Sequence, residues 1–191
     1  MKKIKIVILF LFILTQLQAC VFAVGAAAGA AGVAIVYDHR KIEKILLDEH
    51  IARKIADSIH ADPELNAHSH IEVNCFNQIV LLTGETTSPE FREHIIDIAN
   101  HVPNVKRIYN QINIKGLSSK LTEASDTWIT TKIKSQMLAT KGLQSSTVKV
   151  VTDNGAVYLM GSVTHDQADI TVNIARQVSG VQRVIKIFQY K

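Results

Sequence analysis

The stretch 154-NGAVYLMG-161 decides the fold, because 77-NQIVLLTG-84 has the same pattern earlier in the chain. Both stretches read Asn-x-x-Val-x-Leu-x-Gly. The tripeptide Asp153-Asn154-Gly155, lying between alternating apolar residues, is a strong signal for a β-hairpin. The chain therefore contains one hairpin unit twice, and a repeated unit fixes the architecture of the whole protein.

The repeat extends beyond the hairpin. The hairpin pattern recurs with an offset of 77 residues, and two more patterns recur with offsets of 78 and 76. The change from 78 to 77 to 76 indicates one-residue length changes in two loops. The two further patterns are Asp48-x-x-Ile51-x-x-Lys54-Ile55 with Asp126-x-x-Ile129-x-x-Lys132-Ile133, and Ile98-Ala99-x-x-Val102-x-x-Val105 with Ile174-Ala175-x-x-Val178-x-x-Val181. We therefore predict two homologous domains: domain 1, residues 42–116, and domain 2, residues 117–191.

Each copy predicts the order helix, strand, strand, helix, strand. The first helices are predicted at 48–61 and 126–139, the hairpins at 70–84 and 147–161, and the last strands at 106–115 and 182–191. Ser88 and Thr164 are placed to cap the second helices, which end where Asn104 and Gly180 tolerate a left-handed backbone. The predicted fold class is α+β, with a three-stranded mixed sheet packed on two helices in each domain.

The first residues have the pattern of an export signal. Lys2, Lys3 and Lys5 precede an apolar run that is too short to span a membrane, so residues 1–19 are predicted to be a signal peptide. Its end, 17-LQAC-20, resembles the bacterial lipobox, although ordinary secretory cleavage is an alternative. The resemblance implies that Cys20 becomes a lipidated N-terminus, and Val21 in place of Asp implies sorting to the outer membrane.

Residues 20–41 are predicted to be the lipidated cysteine and an Ala/Gly-rich tether, with a re-entrant hairpin as the less favoured reading. After Cys20, Cys75 is the only other cysteine, so no intramolecular disulfide is expected. We expect Cys75 to be semi-buried and inert. The composition, 47% hydrophobic and 20% charged, favours a packed core over disorder.

Charge is divided between the copies. Residues 42–116 carry 7 Lys and Arg against 11 Asp and Glu, whereas residues 117–191 carry 9 against 5. The first domain is therefore acidic and the second basic. A basic domain is attracted to anionic lipid headgroups, although such a division often reflects solvation alone.

The first helix of domain 2 has an unusual outer face. Its predicted core positions are Ile129, Ile133 and Met137. Trp128 and Leu138 project away from them, among Thr131, Lys132, Lys134 and Ser135, and the equivalent positions of domain 1 are His50 and His60. Because packing within one shared fold does not explain that difference, we expect Trp128 and Leu138 to face a partner, with burial against the other domain as the alternative.

The repeated unit resembles the BON domain. The resemblance rests on the Asn-Gly-x-Val-x-Leu-x-Gly strand, the helix end at Val178-Ser179-Gly180-Val181, and the segments 125–132 and 148–161. A lipobox followed by two such domains is similar to the DolP (YraP) family of outer-membrane lipoproteins. Domain 1 departs from the pattern, because Gln78 and Asn104 stand where BON domains have glycine.

The resemblance implies a non-enzymatic lipoprotein without cofactors, anchored at the periplasmic face of the outer membrane. It implies that the first helix of domain 2 contacts anionic phospholipid, such as phosphatidylglycerol or cardiolipin, and that the protein supports outer-membrane integrity at division sites. An adaptor for envelope-assembly proteins or cell-wall amidase regulation is the alternative. The predicted phospholipid-binding residues are Trp128, Thr131, Lys132, Lys134, Ser135 and Leu138.

Other function classes find little support in the sequence. His68-x-His70, with His60 nearby, has no acidic or cysteine partner at metal-ligand spacing, so we expect no metal site. No catalytic motif or phosphate-binding loop is present. A basic α+β domain is compatible with nucleic-acid binding. The predicted export to the periplasm, however, separates the protein from nucleic acid.

Overall fold

The computed structural model describes residues 42–116 and 120–191, and residues 40–191 form one compact unit. The predictions for the signal peptide, Cys20, the tether and the join at 117–119 lie outside the described residues. Domain 1 contains α1 (Ile42–Ala61), α2 (Pro63–His68), β1 (Ser69–Phe76), β2 (Ile79–Thr86), α3 (Pro89–Asn100) and β3 (Arg107–Ile114). Domain 2 contains α4 (Lys120–Ala139), a 3₁₀ turn (Ser145–Thr147), β4 (Val148–Asp153), β5 (Ala156–Val163), α5 (His165–Arg176) and β6 (Arg183–Tyr190).

The predicted α+β fold is confirmed in both copies. The strand orders are β1-β2-β3 and β4-β5-β6. In each sheet the hairpin strands are antiparallel and the last strand runs parallel to the middle one, which makes the sheets mixed. The parallel pairing is possible because α3 and α5 carry the chain back across the sheet.

Helix boundaries differ from the prediction in three places. Helix α1 begins at Ile42 instead of Asp48 and α4 at Lys120 instead of Asp126, because the added residues are mostly good helix formers. The short helix α2 was not predicted, although Asp62-Pro63 is a recognisable start. The Asp62 carboxylate accepts hydrogen bonds from the amides of Glu64 and Leu65 at 2.9 and 3.2 Å. Strand β4 begins one residue later than predicted, because Thr147 belongs to the 3₁₀ turn.

The turns keep one backbone shape even where the residues differ. Asn154 and Gly155 have φ angles of 49° and 72°, and the equivalent Asn77 and Gln78 have 50° and 66°. Both hairpins therefore turn through two left-handed residues, as type I′ turns do. Asn104 and Gly180, at 71° and 90°, confirm the predicted helix ends. Domain 1 thus retains the fold at its two departures from the glycine pattern.

Each domain has its own core between the helices and one face of its sheet. The predicted positions Ile51, Ile55 and Ile59 are buried in domain 1, and Ile129, Ile133 and Met137 are buried in domain 2. Alternate residues of the strands complete these cores, as period-two alternation requires. The expectation of one apolar helix face per domain is confirmed.

A third core joins the two sheets face to face. Its buried residues come from both domains: Phe76, Ile79, Leu81, Val151, Ala156, Tyr158, Met160 and Ile187. Every residue of β2 is buried, because one face packs on helices and the other on the second sheet. The described chain is therefore four layers, helices on sheet on sheet on helices. The prediction of helices on one face of each sheet was right, but it left the covering of the other face open.

Candidate functional site

The outer face of α4 exposes two large apolar side chains. Trp128 is 53% exposed and Leu138 is 77% exposed, whereas the neighbouring Ile129 is 1% exposed. The alternative in which Trp128 is buried against the other domain therefore does not hold. An indole combines a broad apolar surface with one N–H donor, a combination found where protein meets the boundary between hydrocarbon and water.

A buried carboxylate fixes α4 on the hairpin of its own domain. Asp126, 9% exposed, accepts hydrogen bonds from the amides of Asn154 and Gly155 at 2.6 and 2.9 Å. These amides belong to the hairpin turn. Because Trp128 follows Asp126 by only two residues, this contact also sets the position of the indole.

Domain 1 contains the same contact without an apolar pair at the equivalent positions. Asp48 accepts from the amides of Asn77 and Gln78, both at 2.7 Å. The positions equivalent to Trp128 and Leu138 are His50 and His60, both exposed. The fold thus holds both helices in the same way, and these two positions are apolar in domain 2 alone. The exposed apolar residues of α1, Ile42 and Leu46, lie in the part of that helix before Asp48.

Hydroxyl groups on the outer face of α4 are bonded within the helix. The hydroxyl of Thr131 donates to the carbonyl of Thr127, and that of Ser135 donates to the carbonyl of Thr131, both at 2.8 Å. Such back-bonding occupies the side-chain donors. The outer face is therefore less polar than its residue types indicate, since its hydroxyl protons already have acceptors.

Lysines flank the apolar pair. Lys132 and Lys134 are both exposed, and they lie on opposite sides of the outer face at 100° per residue. All six residues predicted to bind phospholipid are thus exposed on one helix. We call this set, Trp128, Thr131, Lys132, Lys134, Ser135 and Leu138, the outer face of α4.

Two members of the outer face also border a groove between the domains. Thr131 and Lys134 line one wall of a cavity of about 380 Å³, which we call the interdomain groove. The opposite wall comes from β1 and β2 of domain 1, and the floor includes Lys149 of β4. The sequence reasoning did not find this groove, because it forms only when the two sheets pack together.

Lys149 is an unusual occupant of this position. It lies between the buried residues Val148 and Val150 and faces the first domain. Burial lowers the pKa of Lys149, the nearby charge of Lys134 lowers it further, and Cys75, Glu72 and Glu49 act against the shift. One signal was available in the sequence, since a lysine stands alone within an apolar strand.

Cys75 is buried, at 4% exposure, and is more enclosed than the semi-buried position we expected. Its thiol lies 3.5 Å from the Asp48 carboxylate and donates to it. Burial and the Asp48 charge raise the pKa of Cys75 to about 12. The thiol is therefore almost entirely protonated at neutral pH, and a thiol is a poor nucleophile compared with a thiolate.

The histidines are engaged with separate partners. His68 lies 3.8 Å from Glu64, and His70 lies 3.7 Å from Glu123. The His60 ring is 2.7 Å from the carbonyl of Ala56. Within residues 42–116 and 120–191, no three His, Cys, Asp or Glu side chains come together as a metal site.

Comparison with known proteins defines the class. Residues 47–116 and 125–191 each match the BON domain family. Together with the repeated topology, this match makes the protein a tandem of two BON domains. Over the ranges that the structure describes, no helix is long and apolar enough to cross a membrane.

The relatives narrow the class further. The chain is 32% identical to outer membrane lipoprotein DolP of Haemophilus influenzae, over 91% of this chain and 90% of that protein. It is 35% identical to a 21 kDa hemolysin of Actinobacillus pleuropneumoniae, over 75% and 74% of the two chains. Osmotically-inducible protein Y of Escherichia coli is 27% identical, over 81% and 78%. The chain belongs to the DolP family of dual BON-domain lipoproteins, which places it at the cell envelope with an outer-membrane-associated role.

Proposed function

We propose that this protein binds anionic phospholipid through the outer face of α4 and has no enzymatic activity. The observation that carries the proposal is the exposure of Trp128 and Leu138, 53% and 77%, at positions where domain 1 has histidines. Exposed apolar side chains flanked by lysines are the pattern of a helix that lies in a membrane interface.

Electrostatics favours the same surface. Each basic residue near an anionic bilayer contributes about 1 kcal/mol of attraction. Lys132 and Lys134 supply such charges beside the apolar pair, on the domain in which basic residues exceed acidic ones, 9 against 5. The acidic domain 1, with 7 basic against 11 acidic residues, is repelled by the same bilayer. The charge division therefore orients the protein with domain 2 toward the lipid.

The two attachments have different roles in this proposal. A lipid-modified Cys20 retains the protein at the periplasmic face of the outer membrane, because two or more acyl chains anchor stably. The outer face of α4 then selects anionic lipids such as phosphatidylglycerol or cardiolipin. Selection by lipid concentrates the protein at division sites and supports outer-membrane integrity there.

Co-sedimentation with vesicles tests the proposal. Residues 40–191 form a compact unit, so this fragment is mixed with vesicles of phosphatidylglycerol or of neutral phosphatidylcholine. We expect binding to the anionic vesicles only, weakened at high salt. Trp128→Glu should lower this binding at least about tenfold, because a charge replaces the inserted indole.

The fold provides a matched control. His50→Glu places the same charge at the equivalent exposed position of domain 1, and it should leave vesicle binding within about twofold. Equal losses for the two variants would remove the outer face of α4 from the mechanism. Saturable binding of the unmodified fragment to an envelope protein, together with vesicle binding that does not depend on lipid charge, would favour the adaptor alternative.

A further inference from the structure

The interdomain groove is a polar break in an otherwise apolar contact between two sheets. Phe76 and Val151 belong to the buried core between the sheets. On the same faces of the edge strands β1 and β4, the side chains change to Glu72, Asn74 and Lys149, which line the groove. Apolar residues at these positions would extend the intersheet core, so the polar groups need a different explanation.

Lys149 is a partly desolvated ammonium that forms no ion pair with the described residues. Burial disfavours its charged form, and the charges of Glu72 and Glu49 offset only part of that effect. Lys134 adds a second positive charge from α4, and both lysines line the groove. Two adjacent ammonium groups in a recess are suited to a phosphate, which compensates both charges.

A second group in the groove also lacks a partner. Thr83 of β2 is fully buried and lines the groove, and its hydroxyl has no hydrogen-bond partner among the residues that the structure describes. A buried hydroxyl without a partner costs about 1–3 kcal/mol. A bound polar ligand would satisfy it.

The carboxylates of the groove limit the ligand further. Five carboxylates line it as well: Glu72, Glu85, Glu123, Asp126 and Asp153. Asp126 already accepts from the turn amides of Asn154 and Gly155, and Glu85 and Asp153 both accept from the side chain of Asn154. Glu72 and Glu123 remain to face a ligand, and carboxylates accept hydrogen bonds but repel additional anions. A ligand carrying one phosphate and a hydroxyl or ammonium substituent fits a groove that has both lysines and carboxylates. A ligand with several negative charges does not.

We propose that the interdomain groove binds the headgroup of a phospholipid, with its phosphate at Lys134 and Lys149 and its hydroxyl or ammonium group toward Glu72 and Glu123. This inference deepens the proposed function and rests on it for the source of the headgroup. Lys134 connects the two sites, because it belongs both to the outer face of α4 and to the groove. A helix lying on the bilayer thus brings the groove beside the headgroup layer.

NMR titration of residues 40–191 tests the groove without a membrane. The probes are glycerophosphoglycerol, glycerophosphoethanolamine and inorganic phosphate, each added to the ¹⁵N-labelled fragment. We expect saturable shifts at the amides of Thr83, Lys149 and Thr152 with at least one glycerophosphodiester, and weaker binding of inorganic phosphate. The pKa of the Lys149 ammonium, followed through its side-chain carbon signals, should rise when the ligand binds.

Charge removal identifies the lysines that hold the phosphate. Lys149→Gln should weaken glycerophosphodiester binding at least about tenfold, and Lys134→Gln several-fold. Lys134 is exposed, so its substitution keeps the test valid if Lys149→Gln does not fold. Lys132→Gln removes an equal charge from α4 at a residue that does not line the groove, and it should change the affinity by less than about twofold.

The outcomes separate this inference from the proposed function. Trp128→Glu should weaken vesicle binding at least about tenfold and leave glycerophosphodiester binding intact. Absence of saturable shifts with both glycerophosphodiesters, or equal affinities for the Lys149, Lys134 and Lys132 variants, would overturn the groove assignment even if vesicles still bind. Equal or tighter binding of inorganic phosphate would assign the groove to free phosphate and overturn the headgroup assignment.

Discussion

The side-chain amide of Asn154 donates a hydrogen bond to the carboxylate of Glu85 at 2.6 Å, which joins the hairpin turn of domain 2 to the middle strand of domain 1. The relation is reciprocal. Asn77, in the equivalent turn of domain 1, donates to Gln189 of the last strand of domain 2 at 3.0 Å. Each turn therefore contacts the far end of the other sheet, and Lys115 reinforces one of these contacts at 3.3 Å from Glu85.

The intersheet core should be essential for the stability of the pair of domains. Met160 is fully buried between the sheets. Met160→Asp should destabilise the protein by at least about 3 kcal/mol, because it buries an unpaired carboxylate. Urea denaturation measures the loss. Ile170→Asp, at a residue 38% exposed on α5, is the control, and an equal loss for both variants would show that the sheets do not depend on this contact.

The Asp126 contact should stabilise domain 2 and position Trp128. Asp126→Ala leaves the amides of Asn154 and Gly155 without their acceptor and should cost about 2–4 kcal/mol. The fluorescence of Trp128, the single tryptophan of the chain, follows the unfolding. Asp48→Ala should destabilise domain 1 similarly. If vesicle binding is measured below the melting temperature, only the Asp126 variant should lose affinity, and parallel losses would contradict the positioning role.

Gly84 should tolerate no side chain. Its φ angle is +110°, and an added Cβ would lie 2.0 Å from the carbonyl oxygen of His70. Gly84→Ala therefore requires both a left-handed backbone for alanine and a backbone shift, and should cost more than about 3 kcal/mol. Gly116→Ala is the control, since an added Cβ there meets no atom within 4 Å. Thermal melting with a near-normal midpoint for Gly84→Ala would contradict the close approach of the strands.

Asp153 should make the stability of the protein depend on pH. Burial and the charge of Glu85 raise the pKa of Asp153 above 3.8, against a hydrogen bond from Asn154 that lowers it. The fold therefore favours the protonated acid, so this contribution to stability is present below pH 3.8 and is lost as the pH rises through the raised value. Asp153→Asn removes the titrating carboxyl group, and with it this loss of stability at higher pH.

Melting temperatures across pH check the Asp153 prediction. Asp153→Asn should raise the midpoint at pH 7 relative to the unmodified protein, and the gain should shrink as the pH falls toward 4. Asp169→Asn, at an exposed residue of α5, should not reproduce that pattern. A gain for Asp153→Asn that grows with acidity would give the wrong sign and contradict the account.

Sequence reasoning succeeded where local pattern and the repeat supported each other. The hairpin at Asn154-Gly155 has a turn chemistry that permits few alternatives, and its copy at Asn77-Gln78 shows that the shape survives a change of residue. The apolar stripe of Ile129, Ile133 and Met137 faces the core as its periodicity requires. These elements are encoded within a few residues of one another.

The features that were missed depend on residues far apart in the chain. In β2 both sets of alternate residues are apolar, which indicates that both faces are covered, but no local rule shows that the second sheet covers one of them. The interdomain groove joins Thr83 to Lys149 across that same contact. A site built from two domains cannot be recognised until the domains are placed together.

Trp128 fluorescence tests the central claim most directly, because the only indole of the chain lies on the outer face of α4. Vesicles of phosphatidylglycerol, with or without brominated acyl chains, are added to residues 40–191. We expect the emission to shift to shorter wavelength and the brominated lipids to quench it, since the indole enters the interface. An unchanged spectrum, without quenching, under conditions where the protein sediments with the vesicles would show that lipid binds elsewhere.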